Sequence, residues 1–390
     1  MLSVFLRARK SLGQLLVGLG AVALSACVAT GPGTVPPGNG GSVQVALLVP
    51  SGSGQSQDEL FGANLENAAR LAMADLSGVN IDLRVYKTGG SPAQASALAK
   101  QAVDEGAQVI LGPFYSEEAN AAGVAVANSG VNVLAFSNNA AIAGGNVFVL
   151  GQTFDTTARR LANYAVRNGK SKVLIVHDRN VAGEVGKASI ERGVASAGGS
   201  VVGVTSYEFS QNGIVQAASG IVSTAKSSGA TALFLTADTA GALPLLSQLL
   251  VDNGIDKSTV QFIGLTRWDI PPATLALPSV QGGWFAMPDP GLQAQFRARY
   301  AGAYGSQPVP VAGLAYDGIA AIGALANRAK GGAPVSKGDL TQSAGFAGVS
   351  GIFRLLPNGT NERGLAVATI RANQVVVIDA APRSFGGAGF

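Results

Sequence analysis

The chain holds one cysteine, Cys27, and one histidine, His177, and these two side chains bound the chemistry available to it. A zinc centre built from Cys and His needs several such ligands, so that class is excluded. A Ser-His-Asp relay would have to use His177, and no Gly-x-Ser-x-Gly turn is present to offer it a serine. The acids Glu117, Asp178 and Asp269 are scattered, with no base at a readable spacing, so no acid–base catalyst is expected. At or near the expected strand ends stand neutral hydrogen-bonding side chains, Ser51, Ser116, Ser137, Asn138, Asn139, Thr236 and Thr266, with Asp178 and Trp268 beside them, and these are the candidate ligand-binding residues. Groups of this kind hold a small molecule and orient it; they do not transform it. No cofactor is expected either. Gly52-x-Gly54 follows an apolar run, but no third glycine completes the dinucleotide fingerprint, so the loop reads as part of a cleft.

Cys27 has its own chemistry. Arg7, Arg9 and Lys10 precede a short apolar run, Leu15 to Ala26, that ends in small side chains. This is the pattern of a secretory leader, too short and wrongly flanked for a spanning helix. The tetrad Leu24-Ser25-Ala26-Cys27 resembles a bacterial lipobox. The resemblance implies removal of residues 1–26, acylation of Cys27, and a mature protein anchored by lipid in the periplasm. Val28, and not Asp, follows the cysteine, which by proteobacterial sorting implies the outer membrane. Residues 27–42, rich in Gly and Pro and without charge, form a flexible tether that reaches roughly 50 Å when extended.

Charge adds an exclusion. The whole chain has 27 Lys and Arg against 23 Asp and Glu. Three of the basic residues lie in the leader, so the mature protein is close to neutral. No basic cluster interleaved with aromatics occurs, and nucleic acid is not an expected partner. The roughly 360 residues after the leader exceed one ordinary core and imply two lobes.

The elements that position the turn residues follow a βαβα rhythm. Strands are expected at Val43–Val49, Ile81–Tyr86, Val109–Leu111 and Val131–Phe136, with helices at Asp58–Leu76, Pro92–Glu105 and Glu117–Asn128. The rhythm restarts after Gly151. Strands are then expected at Lys172–His177, Val201–Tyr207, Ala232–Thr236 and Val260–Leu265, separated by helices at Thr153–Asn168, Gly183–Ala197, Ile214–Ser227 and Ala240–Val251. Two helices, Pro290–Tyr304 and Val311–Ala329, precede β runs at Gly351–Leu356, Ala366–Arg371 and Gln374–Asp379, with Pro357-Asn358-Gly359 turning between the first two. Such alternation gives parallel sheets covered on both faces, and ligands bind beyond the carboxyl ends of their strands. The expected architecture is α/β, with two doubly wound parallel-sheet lobes. Lobe 1 takes residues 43–152 and 285–337, lobe 2 takes 153–284 and 338–380, and residues 381–390 form a loose tail.

Four segments in this register resemble the type I periplasmic binding fold of the leucine-binding-domain family. They are Val43 to Gly52, Val109 to Ser116, Ile175 to Glu184, and Ala315-Tyr316-Asp317-Gly318. The resemblance covers roughly Val43 to Asp379. It implies a Venus-flytrap in which two lobes, joined by three crossovers, close on a small solute. Ser116 would then offer its hydroxyl and helix-start amide to an anionic group, or serve only to cap the helix. Ser137-Asn138-Asn139 would contact ligand, or simply form a turn. Asp178 and His177 read as supports for the loop that follows them.

The second lobe departs from the amino-acid binders of that family. Ala182 stands near the place of their Tyr, and Thr266 nearest the place of their ammonium-binding acid; Asp269 lies about three residues further on. The segment Phe346 to Gly359, followed by Glu362-Arg363-Gly364-Leu365, resembles the end of penicillin-binding protein activators, which share the fold. That resemblance implies a peptidoglycan synthase as partner. The alternative is an ABC-transporter substrate-binding lipoprotein, whose partner is a permease and whose ligand is an amino acid, an amide or a related solute.

Overall fold

A computed structural model describes residues 42–328 and 335–386. The leader, Cys27, the tether up to residue 41 and the end of the tail from residue 387 lie outside them. The described residues all fall within one unit, Pro36–Phe390.

The first sheet is built from β1 (Ser42–Val49), β2 (Asn80–Lys87), β3 (Val109–Leu111), β4 (Asn132–Ala135) and β5 (Val147–Val149). It runs in the order β2-β1-β3-β4-β5 and is parallel throughout. Helices α1 (Ser56–Asp75), α2 (Pro92–Asp104) and α3 (Ser116–Ala125) cross over between its strands. Successive side chains of a strand point to opposite faces, and β1 shows why both faces must be covered. Val43, Val45, Leu47 and Val49 enter one core with α1, while Ala46 and Leu48 enter another with α2 and α3.

The second sheet receives β6 (Lys172–Asp178), β7 (Ser200–Tyr207), β8 (Ala232–Leu235), β9 (Gln261–Gly264) and β10 (Trp284–Met287), connected through α4 (Phe154–Arg167), α5 (Val181–Ser196), α6 (Gln211–Ser227) and α7 (Leu243–Asp252). The chain then runs through α8 (Pro290–Tyr304), α9 (Ala312–Arg328), α10 (Lys337–Leu340), β11 (Phe346–Gly348), β12 (Gly351–Leu355) and β13 (Asn361–Arg363) before β14 (Ala366–Arg371) and β15 (Gln374–Asp379) return to the second sheet. That sheet reads β15-β14-β10-β9-β8-β6-β7, and only its β10–β14 and β14–β15 pairings are antiparallel, so β14 alone runs against the rest. Again one strand feeds two cores: Leu174 and Val176 of β6 face one, Val173 and Ile175 the other.

The lobe boundaries differ from those read in the sequence. Lobe 1 was expected to resume at residue 285, but β10 pairs with β9 and β14, so the chain leaves the second sheet only after Met287. Lobe 2 was expected to resume at residue 338. Leu340, Phe346, Phe353 and Leu355 instead join Leu65 of α1 and Ile319 and Ile322 of α9 in the first lobe's core, since burying these apolar side chains together takes them out of water. The turn Pro357-Asn358-Gly359 therefore joins β12 to β13 within a small antiparallel sheet, β11-β12-β13, and does not lead to Ala366–Arg371. The tail is held at least to Phe385. Ala381 belongs to a second-lobe core, and the Arg354 guanidinium lies 4.5 Å from the Phe385 ring centroid. Among the described residues no helix is long and apolar enough to cross a membrane.

Candidate functional site

The chain passes between the two sheets three times, after β5, after β10 and after β13. All three passages border one cleft of about 530 Å³, to which they contribute Gly151 and Gln152, Pro288, and Arg363 and Leu365. The cleft lies at the carboxyl ends of strands from both sheets. Phe114, Tyr115 and Ser116 follow β3; Phe136, Ser137, Asn138 and Asn139 follow β4; Arg267 follows β9. Its volume is within the common range for small-molecule sites, about 300–1,000 Å³.

Two glycines allow the first-lobe wall to form. Gly112, just after β3, has φ +94°, and a Cβ there would lie 2.3 Å from the Leu48 carbonyl oxygen. A Cβ on Gly151 would lie 2.7 Å from the Ser137 carbonyl oxygen, so the β4 and β5 loops touch only because glycine is there. The wall is aromatic: Phe114 packs edge-on against Tyr115 with centroids 4.8 Å apart, and lies tilted against Phe61 at 4.9 Å. The Tyr115 hydroxyl donates to Asp58 Oδ1 at 2.5 Å, and this bond, with burial, pushes its pKa up to about 12. The phenol therefore stays neutral. Ser116 is the first residue of α3, and Ser137 Oγ accepts from the Asn139 N–H at 3.1 Å.

The crossover after β13 is tied to the one after β5. Asn361 Nδ2 donates to the carbonyls of Val149 and Gly151 at 2.8 and 2.7 Å, and Arg363 Nε donates to that of Leu150 at 2.8 Å. Arg363 Nη1 donates to Asp317 Oδ2 at 2.9 Å, while Nη2 has no partner. Arg363 is 5% exposed and Asp317 fully buried. Burial pushes the Asp317 carboxyl up, against the pull of Arg363 and of the Val349 N–H that donates to it at 2.8 Å. The guanidinium also lies 4.9 Å from the Phe353 ring centroid. On the other side, Arg267 makes a bidentate pair with Asp269, with Nε 2.9 Å from Oδ1 and Nη2 on Oδ2.

Four of the residues expected from the sequence therefore line the cleft: Ser116, Ser137, Asn138 and Asn139. Ser51, Asp178, Thr236, Thr266 and Trp268 are not among its lining residues. Ser51 is buried against Gly62, where a Cβ would meet its Oγ at 2.0 Å. Thr236 Oγ1 donates to Asp178 Oδ1 at 2.5 Å, and Asn180 Nδ2 donates to Asp178 Oδ2, so the Asp178 carboxylate is occupied in shaping the loop before α5. The Thr266 hydroxyl points back to the Ala237 carbonyl at 3.4 Å. Trp268 does not face a solute. It is 0% exposed in the second lobe's core, where Gly264 and Gly283 make room for it; a Cβ on either would lie 2.1 Å from its indole. Asp269, considered as an ammonium partner, is committed to Arg267. Arg267 and Arg363 were the residues missed. Each stands in a stretch that the sequence marks, but an ion pair with a partner two or forty-six residues away, half-buried in the first case and buried in the second, leaves no periodic trace.

Comparison with known proteins places this geometry. A family model described as "Periplasmic binding protein" matches residues 42–374. A structure from Rhodospirillum rubrum, assigned as a branched-chain amino acid ABC transporter, superposes with a TM-score of 0.72 at 20% identity, covering 86% of this chain and 100% of its own. A branched-chain amino acid ABC transporter periplasmic ligand-binding protein from Burkholderia xenovorans gives 0.67 at 17% identity, over 89% and 97%. An ABC transporter substrate-binding protein from Desulfitobacterium hafniense gives 0.65 at 17%, over 86% and 100%. No curated protein sequence matches the chain.

Proposed function

The chain belongs to the family of periplasmic binding proteins, and from that premise we propose that it is the solute-binding component of an ABC transporter, anchored by lipid at Cys27. The observation that carries the reading is the cleft. Three crossovers meet there, strands of both sheets end there, and aromatic and neutral hydrogen-bonding groups wall it. A hinge across three short crossovers lets two such lobes close on a ligand and present the closed form to a permease. The solved structures of like fold carry transporter names, which favours this reading over the peptidoglycan-synthase activator that the C-terminal motif resembles. The work proposed is binding, with no bond made or broken. Attachment to the outer membrane, implied by Val28, belongs to the same proposal.

The test is a thermal melt of the full chain in detergent against a library of small amino acids, amides, carboxylates and sugars. Binding at 100 times Kd adds about 2.7 kcal/mol to stability, so a true ligand raises Tm clearly. The shift should vanish in Asn138→Trp, which puts an indole at an exposed position of the cleft rim. A silent library, together with retention of the protein on an immobilised bifunctional peptidoglycan synthase, would replace transport by activation.

A further inference from the structure

We propose that the side of the hinge turned away from the cleft carries a latch, made by Arg159, Glu362, Arg354 and Phe385, that holds the two lobes apart and so sets how strongly the cleft binds. The inference rests on the solute-binding reading and adds a control on that site.

Strand β13 separates latch from cleft. Successive side chains of a strand point to opposite faces, so Arg363 lines the cleft while Glu362 turns the other way and is not in the lining. Glu362 is 7% exposed, and its two oxygens serve different lobes. Oε1 accepts from Nη1 of Arg159, on α4 of the second lobe, and Oε2 accepts from Nε of Arg354 at 2.5 Å. Arg354 belongs to the first lobe: its neighbours on β12, Phe353 and Leu355, lie in that lobe's core, and its Nη1 donates to the Ser343 carbonyl at 3.2 Å. One turn earlier on α4, Thr156 Oγ1 repeats the crossing by donating to the Asn361 carbonyl at 3.1 Å.

The C-terminal segment straps the same face. It leaves β15 on the edge of the second sheet, and Ala381 sits in a second-lobe core. The Pro382 carbonyl then passes the crossover at Gly364, where a Cβ would come within 2.9 Å of its oxygen. Phe385 reaches the first lobe. Its ring centroid lies 4.5 Å from the Arg354 guanidinium, within cation–π range, and Gly345 leaves it room, since a Cβ there would stand 2.6 Å from the ring. The segment is thus a tie between the lobes in addition to the three crossovers.

The opposed placement has a mechanical consequence. The hinge lies between cleft and latch, so a rotation that narrows one side widens the other. Closure on a solute must therefore draw Arg159 away from Glu362 and shift Phe385 on Arg354. Charge-assisted bonds of a nearly buried carboxylate are the strong ones, and breaking one opposes closure. The apparent affinity of the cleft is reduced by the fraction of molecules already able to bind, and the latch lowers that fraction. The rims show the lobes held apart in this structure. Leu60, in the first turns of α1, and Val181, at the start of α5, are apolar yet 52% and 83% exposed.

The experiment places spin labels at Leu60→Cys and Val181→Cys, one on each lobe, in the full chain carrying Cys27→Ser, and reads the distance between them by pulsed dipolar spectroscopy. No solute is required. Without further change the long distance should dominate. Arg159→Met, which leaves Glu362 paired with Arg354, should raise the ratio of short to long distances about tenfold, as loss of one charge-assisted bond implies. A chain ending at Arg383, which lacks Phe385 but keeps Ala381 in its core, should raise it as well, so the idea stays testable if one variant folds poorly. Arg192→Met removes an ion pair with Asp155 of α4 that stays inside the second lobe, and should leave the ratio unchanged. A ratio that stays the same or falls in both latch variants, or that rises equally in Arg192→Met, overturns the latch. The small-molecule library, added in pools to the labelled chain without latch changes, reports on the other reading. Shortening by a pool with no effect of the latch variants leaves solute binding standing and the latch refuted. Shortening in the latch variants with no response to any pool leaves the latch standing and removes solute binding.

Discussion

Arg363 and Asp317 form an ion pair, Nη1 to Oδ2 at 2.9 Å, in which the carboxylate has no contact with solvent. It joins β13, beside the cleft, to α9 in the first lobe's core. Removing one member strands a buried charge, at a typical cost of about 3–5 kcal/mol. Asp317→Asn and Arg363→Gln should each lower stability by that order in urea unfolding. The double variant Asp317→Leu/Arg363→Leu should lose clearly less than the sum, because no buried charge is left unpaired, although the Leu150 carbonyl and the Val349 N–H lose these partners. Additive losses would show that the two residues act separately.

Trp268 tests the separation of core from site. Trp268→Ala should cost about 3–5 kcal/mol, as for other large-to-small changes in a core. Its affinity for a cleft ligand should match that of the wild type under conditions where both are folded. Gly264→Ala should mimic the loss of stability, since its Cβ would enter the indole. A Trp268→Ala protein that melts normally and binds weakly would return the indole to the site.

The misplacement of Trp268 shows where sequence reading stops. The rhythm of apolar runs made most of the fold legible: α8 and β14 fall where spacing places them, and most other expected elements differ by one to three residues at their ends. β5 and β13 were illegible. Val147–Val149 is too short to show a period, and Asn361-Glu362-Arg363 is a polar run that is buried because each side chain finds a partner. On the first-lobe wall, turn residues after β3 and β4 could be found because such sheets bind at their carboxyl ends. On the second-lobe side the same rule chose strand-end residues that the loops bend away from the cleft, as the Asp178–Thr236 bond illustrates. Arg363 escaped because its partner Asp317 is forty-six residues away, and pairing over that separation has no local signature.

Glu118 should make stability depend on pH. Its carboxyl is buried, Oε1 has no partner, and desolvation, aided by the charge of Asp58, raises its pKa above the ordinary 4.5. The folded state therefore holds a proton that the unfolded state has released. By linkage, stability from this group falls as pH rises from about 4.5 through the raised folded value. Glu118→Gln removes that loss while keeping an oxygen to accept the Tyr115 N–H, which lies 3.4 Å from Oε2. Urea midpoints at pH 4, 6 and 8 should show the variant ahead at pH 8 and level with the wild type at pH 4. A variant that is weaker at pH 8 would mean that the ionised carboxylate is stabilising.

The proposed lipid anchor at Cys27 leads to a fractionation result. Wild-type protein should sediment with membranes and, on a sucrose gradient, with the outer-membrane peak. Cys27→Ser should appear in the soluble periplasmic fraction, and its intact mass should lack the acyl groups. A soluble wild type would remove the anchor from the account; sedimentation with the inner membrane would move it to the other face of the periplasm.

The central claim, that this protein works by holding a small solute between its lobes, is tested most directly by titrating the solute found in the library melt into the wild-type chain and into Asn138→Trp in the calorimeter. The account predicts saturable one-to-one binding to the wild type and none to the blocked variant, with both proteins melting alike in the absence of ligand. Equal binding by the two would place the solute outside the cleft and contradict it.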